Sequence, residues 1–257
     1  REPGNYNEGK DRILIFEDVY GDGSFETRKV FAEKINLASG IAIGFGGVYV
    51  GAAPYFLFYP DKDQNDLPDG EPEILLDGWG YQDTHETLNA FTWGPDGWLY
   101  GCHGVFTHSK VGKPGTPEEQ REKINAGVWR FHPVTKEFEV YAHGSSNPWG
   151  VDYDGRGDFF ITACVIPHFY HLSQGGRYQR QAGQHFNVNT FDDIKTIADH
   201  SHYSGDIRSH AFWGANKENR PPVQNDTSAL GGGHAHCGLV LYQADVFPPK
   251  YRGDAFF

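Results

Sequence analysis

The side chains best suited to chemistry in this sequence are its histidines, and they gather at a few places. There are 13 of them. His85 lies in Asp83-Thr84-His85-Glu86-Thr87-Leu88-Asn89, His103 and His108 follow, and His168 and His171 come later. His200, His202 and His210 precede Gly231-Gly232-Gly233-His234-Ala235-His236. Imidazole titrates near neutral pH, so it can act as general base, general acid or metal ligand. A single histidine is most often a hydrogen-bonded structural residue; it is the grouping that points to a site. In extended chain His234 and His236 share one face, as a metal pair would.

Carboxylates offer a second chemistry. Asp61, Asp63, Asn65 and Asp69 place oxygens at alternate positions, as calcium loops do, although Asp66 stands where the EF-hand loop needs glycine. Asp18, Asp22 and Glu26 form a weaker version. Both are also what a solvated acidic turn looks like. The three cysteines, Cys102, Cys164 and Cys237, have no CxxC spacing, which argues against a structural zinc site made from them alone. Cys102 and Cys164 each follow a strand signal in successive repeats, so neighbouring units either join them as a disulfide or bury them as thiols. There is no nucleophile elbow, Walker loop or dinucleotide fingerprint.

The elements that must position these groups announce themselves by repetition. Ile43-Gly44-Phe45-Gly46-Gly47-Val48-Tyr49-Val50, Thr92-Trp93-Gly94-Pro95-Asp96-Gly97-Trp98-Leu99-Tyr100 and Val151-Asp152-Tyr153-Asp154-Gly155-Arg156-Gly157-Asp158-Phe159-Phe160 are variations on one phrase. Each reads as apolar strand, tight turn, apolar strand, which is a β-hairpin. A repeat of about 50 to 60 residues built from short strands predicts an all-β fold, a β-propeller. The strands ending at Val50, Tyr100 and Phe160 should then be equivalent inner or second strands of successive blades.

Along the chain, 12–16, 29–32 and 40–51 read as a first blade. A second opens at 55–59 and runs to 92–102, a third opens at 127–131, and a fourth at 169–172. Residues 105–125 read as a polar excursion, with Thr116 capping a helix start. The stretch 174–233 is a long polar insertion with one short helix near 190–200. The whole chain, 1–257, is read as one partial propeller of about four blades, six being expected in the full-length protein. It contains no Met, begins at Arg1 and ends within a strand signal, so it is read as a piece of something longer. A formal charge of -12 disfavours nucleic acid and anionic membranes as partners. No apolar run is long enough to insert in a bilayer.

Six phrases carry a family resemblance. They are Gly9-Lys10-Asp11-Arg12-Ile13, Asp83 to Asn89, Gly94-Pro95-Asp96-Gly97-Trp98-Leu99-Tyr100-Gly101-Cys102-His103-Gly104, Ser146-Asn147-Pro148-Trp149-Gly150, Gly233-His234-Ala235-His236-Cys237-Gly238 and Phe247-Pro248-Pro249-Lys250-Tyr251-Arg252-Gly253-Asp254. Together the chain resembles the propeller region of planctomycete and verrucomicrobial membrane-bound dehydrogenase (haem-binding CxxCH) proteins. That region is itself similar to the glucose/sorbosone dehydrogenase propellers, which use pyrroloquinoline quinone. The resemblance implies a periplasmic or extracellular oxidoreductase-like propeller acting on a sugar or polyol, with calcium and pyrroloquinoline quinone as cofactors. It also implies a cytochrome c domain or protein as electron partner; haem would sit only there, since this chain has no CxxCH.

By that resemblance His85 matches the base that takes a substrate hydroxyl proton, with His103, Asn147, His234 and His236 lining the pocket. Ser146 stands where those enzymes place a quinone-binding Arg. Imidazoles ligate metals but supply no fixed positive charge, so the quinone is expected to bind weakly or not at all. The alternative is a non-catalytic propeller that binds glycan or a partner protein, using Trp79, Trp93, Trp149 and Trp213 unless these are blade core.

Overall fold

The computed structural model describes residues 7–164, 168–180, 182–186, 192–198 and 237–257. The three repeated turns do form hairpins. Phe45 and Gly46 both have positive φ (51° and 78°), and Gly97 and Gly157 close the other two at φ 81° and 88°. The first is a primed two-residue turn; in the other two the glycine follows the turn, its amide donating to Gly94 (3.1 Å) and to Asp154 (2.9 Å).

A two-stranded piece comes first, β1 (Asp11–Glu17) against β2 (Thr27–Ile35). The first complete blade is β3 (Ala38–Gly44), β4 (Gly47–Ala52), β5 (Tyr55–Pro60) and β6 (Glu73–Asp77), in that order across the sheet. The second holds β7 (Asn89–Trp93) and β8 (Leu99–His103). A small hairpin, β9 (Ser109–Val111) with β10 (Glu122–Ile124), then leaves the sheet, and β11 (Gly127–Phe131) and β12 (Phe138–Gly144) complete the blade. The third blade is β13 (Pro148–Tyr153), β14 (Phe159–Ala163) and β15 (Phe169–Leu172). β16 (Arg177–Tyr178) returns to the outer edge of the second blade, parallel to β12. β17 (Val240–Leu241) and β18 (Ala255–Phe256) start a further sheet.

β3 lies beside β7, β7 beside β13 and β13 beside β17, so the first strand of each sheet lines a common axis. That is the radial plan of a β-propeller. Side chains stitch these neighbours together. Trp93 Nε1 donates to the Ile43 carbonyl (2.8 Å), Thr92 Oγ1 to Val151 (2.9 Å), and the Leu241 amide to Asp152 Oδ2 (2.8 Å). β4, β8 and β14 are each second from the axis. They are the strands predicted to be equivalent at Val50, Tyr100 and Phe160.

Strand alternation divides the core among the blade interfaces, because successive side chains leave opposite faces. Val48 and Val50 of β4 pack with Phe31 and Ile35 on one side, while Tyr49 packs with Phe56, Trp79 and Trp129 on the other. Likewise Trp129 and Phe131 of β11 face the first blade and Val128 faces the third. Both faces are therefore apolar, and the strands read as apolar runs rather than as alternating ones. At Gly101, opposite Trp129 in the ladder, an added Cβ would lie 2.2 Å from the indole. Only glycine lets the ring cross β8 there.

The phase of the blades differs from the expectation. Residues 55–59 do not open a blade; β5 is the third strand of the sheet begun by β3. β11 likewise continues the sheet of β7 and β8, and β15 that of β13. Turns at the two ends of a blade have the same chemistry, so the period is visible while its phase is not. The described part of the expected helix, 192–198, is extended instead: Ile194 bridges Tyr178 and Ala198 bridges Phe169. Asp193 anchors it by accepting from Arg177 Nε (2.7 Å) and contacting His185 Nε2 (3.3 Å). The expected cap at Thr116 moves by one residue, with Pro117 preceding a single 3-10 turn at Glu118–Gln120. Among the described residues no helix is long and apolar enough to cross a membrane.

Candidate functional site

In a blade of antiparallel strands the first strand begins where the second one ends. The loops entering β7, β13 and β17 therefore gather at one end of the axis, with the segments leaving β8 and β14. The loop from Asp83 to Asn89 is built into that end. Its Glu86 carbonyl accepts from the Gly104 amide (3.0 Å), and Thr107 Oγ1 donates to the Asp83 carbonyl (3.0 Å).

Two adjacent residues of this loop meet opposite environments. The His85 side chain is 87% exposed, with Nδ1 3.0 Å from Asp83 Oδ1, and that oxygen also accepts the His85 amide at 3.0 Å. The carboxylate thus fixes the ring and favours a proton on Nδ1, leaving Nε2 turned outward as an acceptor. Glu86 is only 3% exposed. Its Oε2 accepts the Phe106 amide. On the other side of the same peptide unit, Arg180 Nη2 approaches the Val105 carbonyl (3.5 Å). Arg180 also donates to the carbonyls of Ala182 (2.9 Å) and Asn125 (2.6 Å).

Burial pushes the Glu86 carboxyl up to about 7; the Phe106 amide opposes this, Asp83 adds to it, and Arg180 and the Thr107 amide oppose it. Between pH 4.5 and about 7 the folded chain keeps a proton there that the unfolded chain releases. The stability from this group is complete below about 4.5 and is lost as pH rises through about 7, by roughly 3 kcal/mol. Glu86→Gln is expected to flatten that slope, melting with wild type at pH 4.5 and above it at pH 8. An unchanged slope in thermal melts of the variant would assign it to other groups.

The remaining predicted residues fare differently. Asn147 does lie at this end: its carbonyl accepts the Cys164 amide (2.8 Å) as the chain enters β13. Its Oδ1 and those of Asn89 and the Ser145 hydroxyl are buried without a hydrogen bond among the described residues. His103 is a correction. It is fully buried, Nδ1 lies 2.9 Å from the Gly104 carbonyl, Nε2 lies 2.7 Å from Ser109 Oγ, and desolvation lowers it to about 4. A neutral ring with both nitrogens engaged holds the β9 turn in place and is not open to a cofactor. His234 and His236 lie outside the described residues.

The acidic loops sit at the other end, beside the β3–β4 turn, where the Asp61 amide donates to Gly46 (2.8 Å). The oxygens of Asp61, Asp63 and Asp69 accept amides of their own loop. The described carboxylates whose oxygens come within 4.8 Å of one another are Asp18, Asp22 and Glu26. The structure thus gathers the weaker sequence candidate and not Asp61, Asp63, Asn65 and Asp69. The spacing shows where oxygens fall along the chain, but not which of them the turn turns inward.

Sequence reasoning missed two participants, Glu86 and Arg180. Glu86 stood beside His85 in the quoted phrase. The two lie in a turn closed by the Glu86 amide on the Asp83 carbonyl (3.0 Å), so no strand alternation marked Glu86 as the inward one. Arg180 had no local signal, because it arrives from the predicted insertion.

The fold is that of a β-propeller, with a histidine–aspartate pair and a buried carboxyl at one end of its axis. The chain belongs to the family described as Domain of unknown function (DUF7133), which matches residues 2–257. No curated protein matches it. Among solved structures it is similar to one assigned provisionally as a gluconolactonase, at 12% identity over 60% of this chain and 56% of that one, TM-score 0.39. It is also similar to the PQQ-bound form of aldose sugar dehydrogenase from Streptomyces coelicolor, at 17% identity over 61% of this chain and 54% of that one, TM-score 0.42. The similarity thus spans little more than half of each. At such distances likeness of activity does not follow.

Proposed function

We propose that this chain is the propeller part of an extracytoplasmic oxidoreductase, periplasmic or extracellular, that acts on a sugar or polyol at the Asp83–Asn89 end of the axis. The observation that supports this is one loop carrying two titratable groups in opposed environments, an outward imidazole oriented by Asp83 and an inward carboxyl at Glu86. Such splitting is how a protein separates a base from an acid near neutral pH. His85 takes the proton of a substrate hydroxyl, while Asp83 stabilises the imidazolium that results. The buried oxygens of Asn89 and Asn147 and the Ser145 hydroxyl are candidates to order the neighbouring hydroxyls or their water.

Oxidising the carbinol carbon also needs a hydride acceptor, which no protein side chain supplies, so a separate cofactor is required. Pyrroloquinoline quinone fits the described residues poorly. The quinone would be an anion, and the described residues at this end offer it little positive charge: Ser146 is neutral and fully buried, and the guanidinium of Arg180 already serves backbone carbonyls. A cytochrome c domain or protein remains the proposed onward electron partner.

A second reading is a non-catalytic propeller for glycan or a partner protein. It draws on a separate cavity of about 890 Å³ lined by Tyr55, Trp79, Tyr81, His108, Arg121 and Phe186. Trp79 is blade core, but Tyr81 and Phe186 are exposed.

The natural protein, assayed with a panel of sugars and polyols and an indophenol dye, should reduce the dye in a substrate-dependent way. Added quinone with calcium should produce no stoichiometric absorbance change. Sugar binding without dye reduction, lost in Tyr81→Ala, would establish the second reading. Stoichiometric quinone binding with sugar-dependent reduction would overturn the poor fit.

A further inference from the structure

We propose that Cys164 and Cys237 form a disulfide between the third blade and the start of the next sheet. Neither the family description nor the two readings of Cys102 and Cys164 from the sequence, a disulfide between them or buried thiols, contains this bond. The backbone brings the two cysteines together. The Cys164 amide donates to Asn147 (2.8 Å), and the amide next to Cys237, that of Gly238, donates to Trp149 (2.8 Å), two residues further along the same chain segment. The Gly238 carbonyl in turn accepts Thr162 Oγ1 (3.0 Å). A Cβ added to Gly150 would lie 2.5 Å from the Gly238 carbonyl carbon, so the two backbones touch.

Cys164 follows β14 directly, two residues past Thr162, and its amide still pairs with Asn147, which continues the ladder by one step. Thr162 meets Gly238, and Cys164 then stands level with the residue before it, Cys237. The charges agree with this placement: burial first, and then the Cys237 sulfur, hold the Cys164 thiol above its ordinary range. Cys237 is exposed and open to an oxidant. Cys102 is not a competitor. It is fully buried, and its sulfur accepts the Gly150 amide.

The bond forms by thiol–disulfide exchange. The Cys237 thiolate attacks a small disulfide oxidant and displaces one thiol. The Cys164 thiolate then attacks the mixed disulfide and displaces the second. Two protons and two electrons leave the protein, and the oxidant departs as two thiols. The product closes a loop over residues 165–236, long enough for a large entropic gain. Its presence in the cell rests on the extracytoplasmic location proposed above. Its chemistry does not.

The test is made on the full chain in vitro, independently of any activity. Samples equilibrated in glutathione redox buffers are acid-quenched, alkylated and peptide-mapped. The oxidised sample should contain the Cys164–Cys237 linked peptide, with Cys102 alkylated only in denaturant. Oxidation should raise the melting temperature by roughly 5–10 °C. That redox shift should vanish in Cys164→Ser and Cys237→Ser and persist in Cys102→Ser. Alkylation of both Cys164 and Cys237 in oxidising buffer, or a linked peptide containing Cys102, would overturn the proposal. Because mapping is done on the wild-type chain, a variant that fails to fold does not leave the question open.

Discussion

His85→Ala is expected to lower substrate-dependent dye reduction by about 10²- to 10⁴-fold, the usual contribution of a positioned general base. The side chain is almost entirely exposed and its ring is held by Asp83, so the variant should fold and melt like wild type. Lost activity at unchanged stability separates a catalytic role from a structural one. Asp83→Asn should give a smaller loss and a shifted pH profile, because the amide keeps the loop contact but no longer stabilises the imidazolium. Glu86→Gln probes the other half of the site. If the protonated Glu86 is the form that works, rate should fall above pH about 7 in wild type and not in the variant. Activity in His85→Ala within twofold of wild type would remove the base from the mechanism.

Trp129→Ala is expected to cost about 3 to 5 kcal/mol, a large share of what holds an ordinary domain folded. Its indole is fully buried and donates to the Cys102 carbonyl (3.2 Å). It packs edge-on against Phe56 and Phe91 (centroids 5.5 and 5.2 Å) and tilted against Trp79 (5.1 Å). Removing it empties the interface between the first two blades and takes away one hydrogen bond. Gly101→Ala should also be severe alone, since its methyl collides with that ring, yet much milder once the ring is gone. Chemical denaturation of the two single variants and the double variant measures this coupling. Additive costs would mean that the indole does not occupy the space over Gly101.

Several features were legible in the chain itself. Phe45-Gly46, Asp96-Gly97 and Gly157 state their turns locally, because positive φ is a demand that few residues meet. The equivalence of β4, β8 and β14 follows from those turns and the apolar runs beside them. The phrase Asp83 to Asn89 marked the end of the axis where the titratable groups collect. Other features were decided only by tertiary structure. Whether β5 opens a blade or continues one depends on which neighbour its hydrogen bonds reach, and that neighbour is distant in sequence for some strands and adjacent for others. His103 and His85 are the same residue type in similar settings, yet one is sealed against Ser109 and the other faces solvent. Arg180 meets the Val105–Phe106 peptide, and Cys237 comes to Cys164, across long stretches of chain. Turn chemistry acts over a few residues and can be read in order along a sequence. Burial, charge and proximity at the site are properties of packed surfaces, and they exist only after the blades have closed on one another.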